Sequence, residues 1–184
     1  MKYSMVSVAA FVASSLASPA FWDESIKPPG PITITNNMNQ AVRLNRSRPK
    51  YMDVDEFDED VEGISTIIPQ GRTITISTPP PIQDLKLSVL QAPGNQVEVA
   101  YASQGPAFKY AIKRIEHDRF PGVVSVQPQP QSHECRRLTL FPHRPNVGPV
   151  RCRAGTRLRV TLCQQGHPHC PPPSPNAEDE IEWL

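Results

Sequence analysis

Beyond residue 30 the chain runs in short stretches in which apolar and polar residues alternate, and most of the apolar ones are β-branched. Such alternation puts successive side chains on opposite faces of an extended strand. Residues 31–36 (Pro-Ile-Thr-Ile-Thr-Asn) predict a first strand, 36–40 carry turn chemistry, and 41–45 predict a return strand. Residues 64–68 and 72–77 are two further strands about the turn Pro69-Gln70-Gly71, with Ile74 and Ile76 on one face and a stop at Pro79-Pro80-Pro81. Residues 85–90 and 96–101 flank the turn Pro93-Gly94-Asn95. Phe108, Tyr110 and Ile112 share a face that predicts core rather than a binding platform. Residues 123–126, 138–141 and 158–162 complete the set, and the alternating Gln and Pro of 127–131 predict an extended connector. Turn signals recur roughly every 8 to 12 residues. The fold class is all-β, an antiparallel β-sandwich or barrel.

The first residues follow a different pattern. Lys2 precedes an apolar run over 5–16, and small residues follow at Ser15, Ala17, Ser18 and Ala20. The run is shorter than the roughly 20 residues of a spanning helix. It predicts a signal peptide over 1–17, with cleavage as late as 20, and hence a secreted, extracellular protein with no membrane span. The expected organisation is then a β-sandwich domain over 30–163, a charged acidic loop over 46–63 within it, and a Cys170 turn with a Pro-rich acidic tail over 164–184. About 165 residues remain after cleavage, enough for one domain with its own core.

Secretion changes the meaning of the four cysteines, Cys135, Cys152, Cys163 and Cys170, which all lie in the last third of the chain. In an oxidising compartment they predict disulfides. Of the three possible pairings, Cys135 with Cys152 and Cys163 with Cys170 close the shortest loops. The rival is a metal site drawing on His133, His167 and His169, but no CxxC spacing supports it. The only N-glycosylation sequon is Asn45-Arg46-Ser47, which predicts a surface loop at Asn45.

The net charge of +1 argues against a protein that holds nucleic acid by bulk charge, yet the charge is uneven. Residues 53–62 carry seven acids, without the glycine turn and closing glutamate of a calcium loop. Residues 136–159 carry seven arginines and no acid. Arg136, Arg137, Arg151, Arg153, Arg157 and Arg159 form a candidate face for an anionic ligand, against the simpler reading of a solvated surface. A glycan hydrolase needs two positioned carboxylates. Outside the acidic loop the candidates are Asp84, Glu98, Glu116, Asp118 and Glu134, none in a recognisable motif. No nucleophile elbow, zinc-protease or nucleotide-binding motif occurs. The expectation is a non-enzyme without cofactor. The dibasic pairs Lys113-Arg114 and Arg136-Arg137 sit in or beside strands, where folding shields them from processing proteases.

The order of these features resembles a fungal secreted family, the yeast-phase-specific or antigenic thaumatin-like proteins. The resemblance runs over residues 30–163, from Ile32-Thr33-Ile34-Thr35-Asn36-Asn37 and Ala41-Val42 through Pro69-Gln70-Gly71, Leu85-Lys86-Leu87-Ser88 and Val97-Glu98-Val99-Ala100-Tyr101. It continues with Phe108 to Tyr110, Phe120-Pro121-Gly122, Cys135 and Val150-Arg151-Cys152-Arg153-Ala154-Gly155. The cysteine that this family carries after the Asn-Asn pair is Met38 here. The resemblance implies a thaumatin-like β-sandwich and a role at the cell wall or a host surface, with a cell-wall polysaccharide or a host protein as partner. It brings no catalytic residues.

Overall fold

A computed structural model describes residues 27–47, 64–115, 120–142, 144–164 and 170. These residues form strands and no helix. In chain order the strands are β1 (Ile32–Asn37), β2 (Val42–Ser47), β3 (Ile64–Ile68), β4 (Thr73–Ile76), β5 (Ile82–Val89) and β6 (Ala92–Gln104). Then come β7 (Ala107–Arg114), β8 (Gly122–Gln129), β9 (Leu138–Leu140), β10 (Val147–Arg153) and β11 (Arg157–Gln164). They make a five-stranded sheet, β4-β1-β11-β8-β9, and a six-stranded sheet, β10-β7-β6-β5-β2-β3.

The alternation sets which side chains lie between the sheets. Ile32 and Ile34 of β1, Leu85 and Leu87 of β5, Val97 and Val99 of β6, and Leu158, Val160 and Leu162 of β11 are all buried in one core. Phe108, Tyr110 and Ile112 are buried with them, as the sequence predicts. Each buried aliphatic or aromatic side chain stabilises by about 1.5–3 kcal/mol relative to exposure. Shape holds this core as well as area. A Cβ on Gly122 would stand 2.6 Å from the Cys163 carbonyl oxygen and 2.6 Å from the Met38 sulfur, so β8 packs this closely only with glycine there.

Several local expectations change. No hairpin joins β1 to β2, because β1 lies in one sheet and β2 in the other. The Asn-rich segment after β1 therefore crosses between sheets, and the Pro69-Gln70-Gly71 turn does the same between β3 and β4. β1 and β11 pair in parallel, Ile32 opposite Leu158 through Asn37 opposite Cys163, whereas every other pair is antiparallel. Residues 93–95 belong to β6, which begins immediately after a tight turn at 90–91. Gln127 to Gln129 are not a connector but the end of β8, paired with Arg159 to Arg157. β9 covers only Val124 to Val126, so β8 is an open edge at Pro128, where proline is tolerated. β10 is a strand without a local sequence signal, since Gly148 and Pro149 interrupt its alternation at an irregularity in the β7 pairing. Gly148 has a φ of 105°, and a Cβ there would lie 3.0 Å from the Tyr110 carbonyl oxygen.

Arg46 and Ser47 belong to β2, so the charged segment begins later than its expected start at 46. The rest of that segment, the signal peptide over 1–17 or to 20, the tail beyond Cys170, and the residues Glu116, Asp118, His167 and His169 lie outside the described residues.

Candidate functional site

The cysteines pair as the loop lengths favour, Cys135 with Cys152 and Cys163 with Cys170, with Cα–Cα distances of 4.8 and 5.6 Å. None is left free, so the metal alternative has no thiolates. Among the described residues no group of three or more His, Cys, Asp or Glu is placed to hold a metal.

The Cys135–Cys152 bridge ties the loop before β9 to β10, and so joins the two sheets at one edge. A second tie stands beside it. The buried Tyr110 hydroxyl donates to the Arg136 carbonyl. Burial pushes this phenol well above its ordinary value, against a smaller opposing effect of the Arg136 charge. Between these ties and the β6–β7 and β10–β11 turns lies a surface groove of about 740 Å³. Its lining includes His133, Glu134, Arg151, Arg153, Pro106 and Pro130. Among the described residues that line it, Glu134 is the only carboxylate, and they do not supply the pair that glycoside hydrolysis requires. Its chemistry is that of guanidinium donors beside one acid and one imidazole.

The six candidate arginines do not share one face. Arg151 and Arg153 alternate with buried Val150 and Cys152 on β10, and point outward from the six-stranded sheet. Arg157 and Arg159 alternate with buried Leu158 and Val160 on β11, and point outward from the five-stranded sheet. The turn at 154–156 carries the chain from one sheet to the other, so residues close in sequence stand on opposite sides of the molecule. Arg137 joins the second pair, donating 2.9 Å to the Oε1 of Gln127, the residue opposite Arg159 on β8. The Arg136 side chain is exposed beside the groove loop.

Asp84 and Glu98 occupy diagonal positions of β5 and β6 on the outer face of the six-stranded sheet. Lys86 stands opposite Glu98, and the Lys113 ammonium lies 3.7 Å from the Glu98 carboxylate. This is an open sheet surface, not a recess. Asn45 is also on that face, half-buried between Ser65 and Lys86 within β2, rather than in the loop expected for a sequon. Of the dibasic pairs, Lys113-Arg114 lies in β7. The Arg114 guanidinium donates to the carbonyls of Phe141 at 2.6 Å and Arg144 at 2.9 Å.

One structural residue escaped the sequence reading. Asn36 is fully buried, and all its polar groups are used. Its amide donates to the carbonyls of Gln40 at 2.9 Å and Ile68 at 2.8 Å, and its Oδ1 accepts from the Met38 N–H at 2.9 Å. Its backbone bonds to Gly71 and Arg72. One side chain thus holds both crossings between the sheets. The parity it shares with Ile32 and Ile34 was the available signal.

The two stacked sheets, stapled by disulfides near the C-terminus, define a β-sandwich of thaumatin-like type. The protein elicitor MoHrip2 from Magnaporthe oryzae has the same fold, with a TM-score of 0.56 at 14% identity, over 73% of this chain and 98% of that one. The thaumatin-like xylanase inhibitor TLXI aligns over 73% of this chain and 99% of its own at 15% identity, with a TM-score of 0.49. No protein-family model matches the chain, and no curated protein does. At 14% identity the likeness to MoHrip2 establishes the fold alone.

Proposed function

We propose that this is a secreted fungal protein of the yeast-phase-specific thaumatin-like kind, which acts without catalysis at the cell wall or at a host surface by binding a glycan or a protein. The observation that carries the reading is the stapled end of the sandwich. There a disulfide and a buried tyrosine fix a groove bearing two arginines and a single carboxylate. Rigid backbone with few fixed donors suits recognition, because little ordering cost is incurred on binding. The N-terminal apolar run and the two bridges support export. Asn45, turned outward on β2, is the proposed glycan acceptor, and a mass shift on enzymatic deglycosylation checks it.

The test is retention of the oxidised protein on insoluble β-glucan, chitin and intact fungal walls, under increasing salt. Salt-resistant retention on one polymer supports a wall lectin. Retention that fails in moderate salt points to the arginines and a charged partner. If nothing retains the protein, the wall reading falls and host proteins become the place to look.

A further inference from the structure

We infer that the outer face of the five-stranded sheet is a platform for an extended acidic polysaccharide, a chain bearing uronate groups. The inference rests on the glycan-binding reading above, and adds a ligand class and a second binding face, apart from the groove.

The register builds this face in rows that cross the strands. One row runs Thr75, Thr33, Arg159, Gln127, from β4 through β1 and β11 to β8. Arg137 extends it through its bond to Gln127. The next row runs Thr73, Thr35, Thr161, Ser125, Thr139, across all five strands, with Ser125 buried beneath its neighbours and the threonines left to meet a ligand. Arg157 and Gln129 begin a third. Hydroxyls already touch along the rows, Thr35 to Thr73 at 3.0 Å and Ser125 to Thr139 at 3.4 Å. With strands about 4.8 Å apart and alternate residues about 6.6 Å apart, the array is some 19 Å long, with donors and acceptors at regular intervals.

Among the described residues of its strands the charge has one sign. None of the five strands contains an Asp or Glu, while Arg157 and Arg159 stand two residues apart and Arg137 lies beside them. A carboxylate between these guanidiniums relieves their repulsion and accepts bidentate hydrogen bonds. Threonine hydroxyls and glutamine amides each donate and accept, which suits sugar hydroxyls. A polyuronate offers both kinds of partner along one chain. A lipid surface fits less well, because the large exposed hydrophobic residues described, Ile64 and Ile67, are on β3 of the other sheet.

The test is affinity electrophoresis in gels containing polygalacturonate or a neutral β-glucan. It compares wild type with Arg157→Gln/Arg159→Gln and with Arg43→Gln/Lys109→Gln, which lose the same charge from opposite faces and leave the groove arginines in place. All four side chains are exposed, and melting curves check that the variants fold. Polygalacturonate is expected to retard wild type, and the first variant to weaken binding about tenfold or more, the value of one charge-assisted hydrogen bond. The second variant should change it by less than about threefold on the same scale. Thr33→Val/Thr161→Val, with charge unchanged, should weaken it measurably, and no change would overturn the ordered array. Equal losses from both charge variants would overturn the assignment of the face. Binding to anionic lipid vesicles that is stronger than to polygalacturonate, and lost with Arg157 and Arg159, would overturn the ligand class. Retention on walls or neutral glucan but not on polygalacturonate overturns this inference and leaves the wall reading standing; retention on none of them overturns both.

Discussion

Replacing Asn36 tests how the two sheets are held in register. Asn36→Ala removes three side-chain hydrogen bonds, taking from the Met38 N–H its side-chain acceptor and from the Ile68 carbonyl its amide donor in a site closed to water. A net contribution of about 1 to 1.5 kcal/mol per bond gives a loss of about 3 to 4.5 kcal/mol. For a domain of this size that is a fall of about 10 °C in melting temperature. Asn36→Asp is the sharper variant, because it keeps the shape but puts a carboxylate oxygen where the amide donated to two carbonyls. Burial and those carbonyls raise the acid's folded pKa above its unfolded value of about 3.9. With a raised pKa, the variant is most stable below that value and loses stability as pH rises through it. At neutral pH Asn36→Asp should therefore be less stable than Asn36→Ala, and the order should narrow or reverse in acid. Urea unfolding at several pH values measures both. A cost below about 1 kcal/mol for the alanine variant, where three bonds are lost, would refute the reasoning, as would a neutral-pH aspartate variant as stable as wild type.

Other consequences can be measured on the same protein. Cys135→Ala/Cys152→Ala opens a loop with a sequence separation of 17 and should cost about 3 kcal/mol by loop entropy, whereas Cys163→Ala/Cys170→Ala, separation 7, should cost about 2, read from denaturant midpoints. Burial raises the phenols of Tyr101 and Tyr110 above the ordinary 10.0, so both stabilise the fold below that pH and the benefit is lost as pH rises past it; Tyr101→Phe/Tyr110→Phe should flatten the alkaline limb of a stability–pH curve. Gly122→Ala drives a methyl group into the Cys163 carbonyl and should cost about 1–3 kcal/mol in thermal unfolding. A dibasic-specific protease should leave the folded chain uncut after Arg114, which is held in β7 and bonded to Phe141 and Arg144; cleavage there under native conditions would show that the strand opens.

Local pattern made most strands legible, because alternation of apolar and polar residues is a property of neighbours. It could not say which sheet a strand joins, since an inward-facing Ile reads the same in either. For that reason β1 and β2 looked like a hairpin, and the parallel partner of β1, more than 120 residues away, left no local trace. The arginines misled in the same way. Arg151, Arg153, Arg157 and Arg159 keep one parity along the chain, but the turn at 154–156 exchanges the sheets, so equal parity ends on opposite faces. Proline hides the end of β8 and the whole of β10, because it sits at an open edge in the first and an irregularity in the second. The disulfides were legible because short loops limit the choice. Asn36 was read for its turn chemistry, and its burial depended on a crossing visible only in three dimensions.

The parallel pairing of β1 with β11 also orders events in time. β11 lies at the centre of its sheet, with β1 and β4 on one side and β8 and β9 on the other. Until residues 157–164 have been synthesised, the earlier strands of that sheet form two separate halves, each with an exposed edge. Such edges template pairing with other chains, and contacts this distant in sequence form slowly. A chain interrupted before Arg157 therefore lacks the strand that joins its sheet. The central strand of this sheet is thus the last of the described strands to leave the ribosome, and the open edges persist until it does.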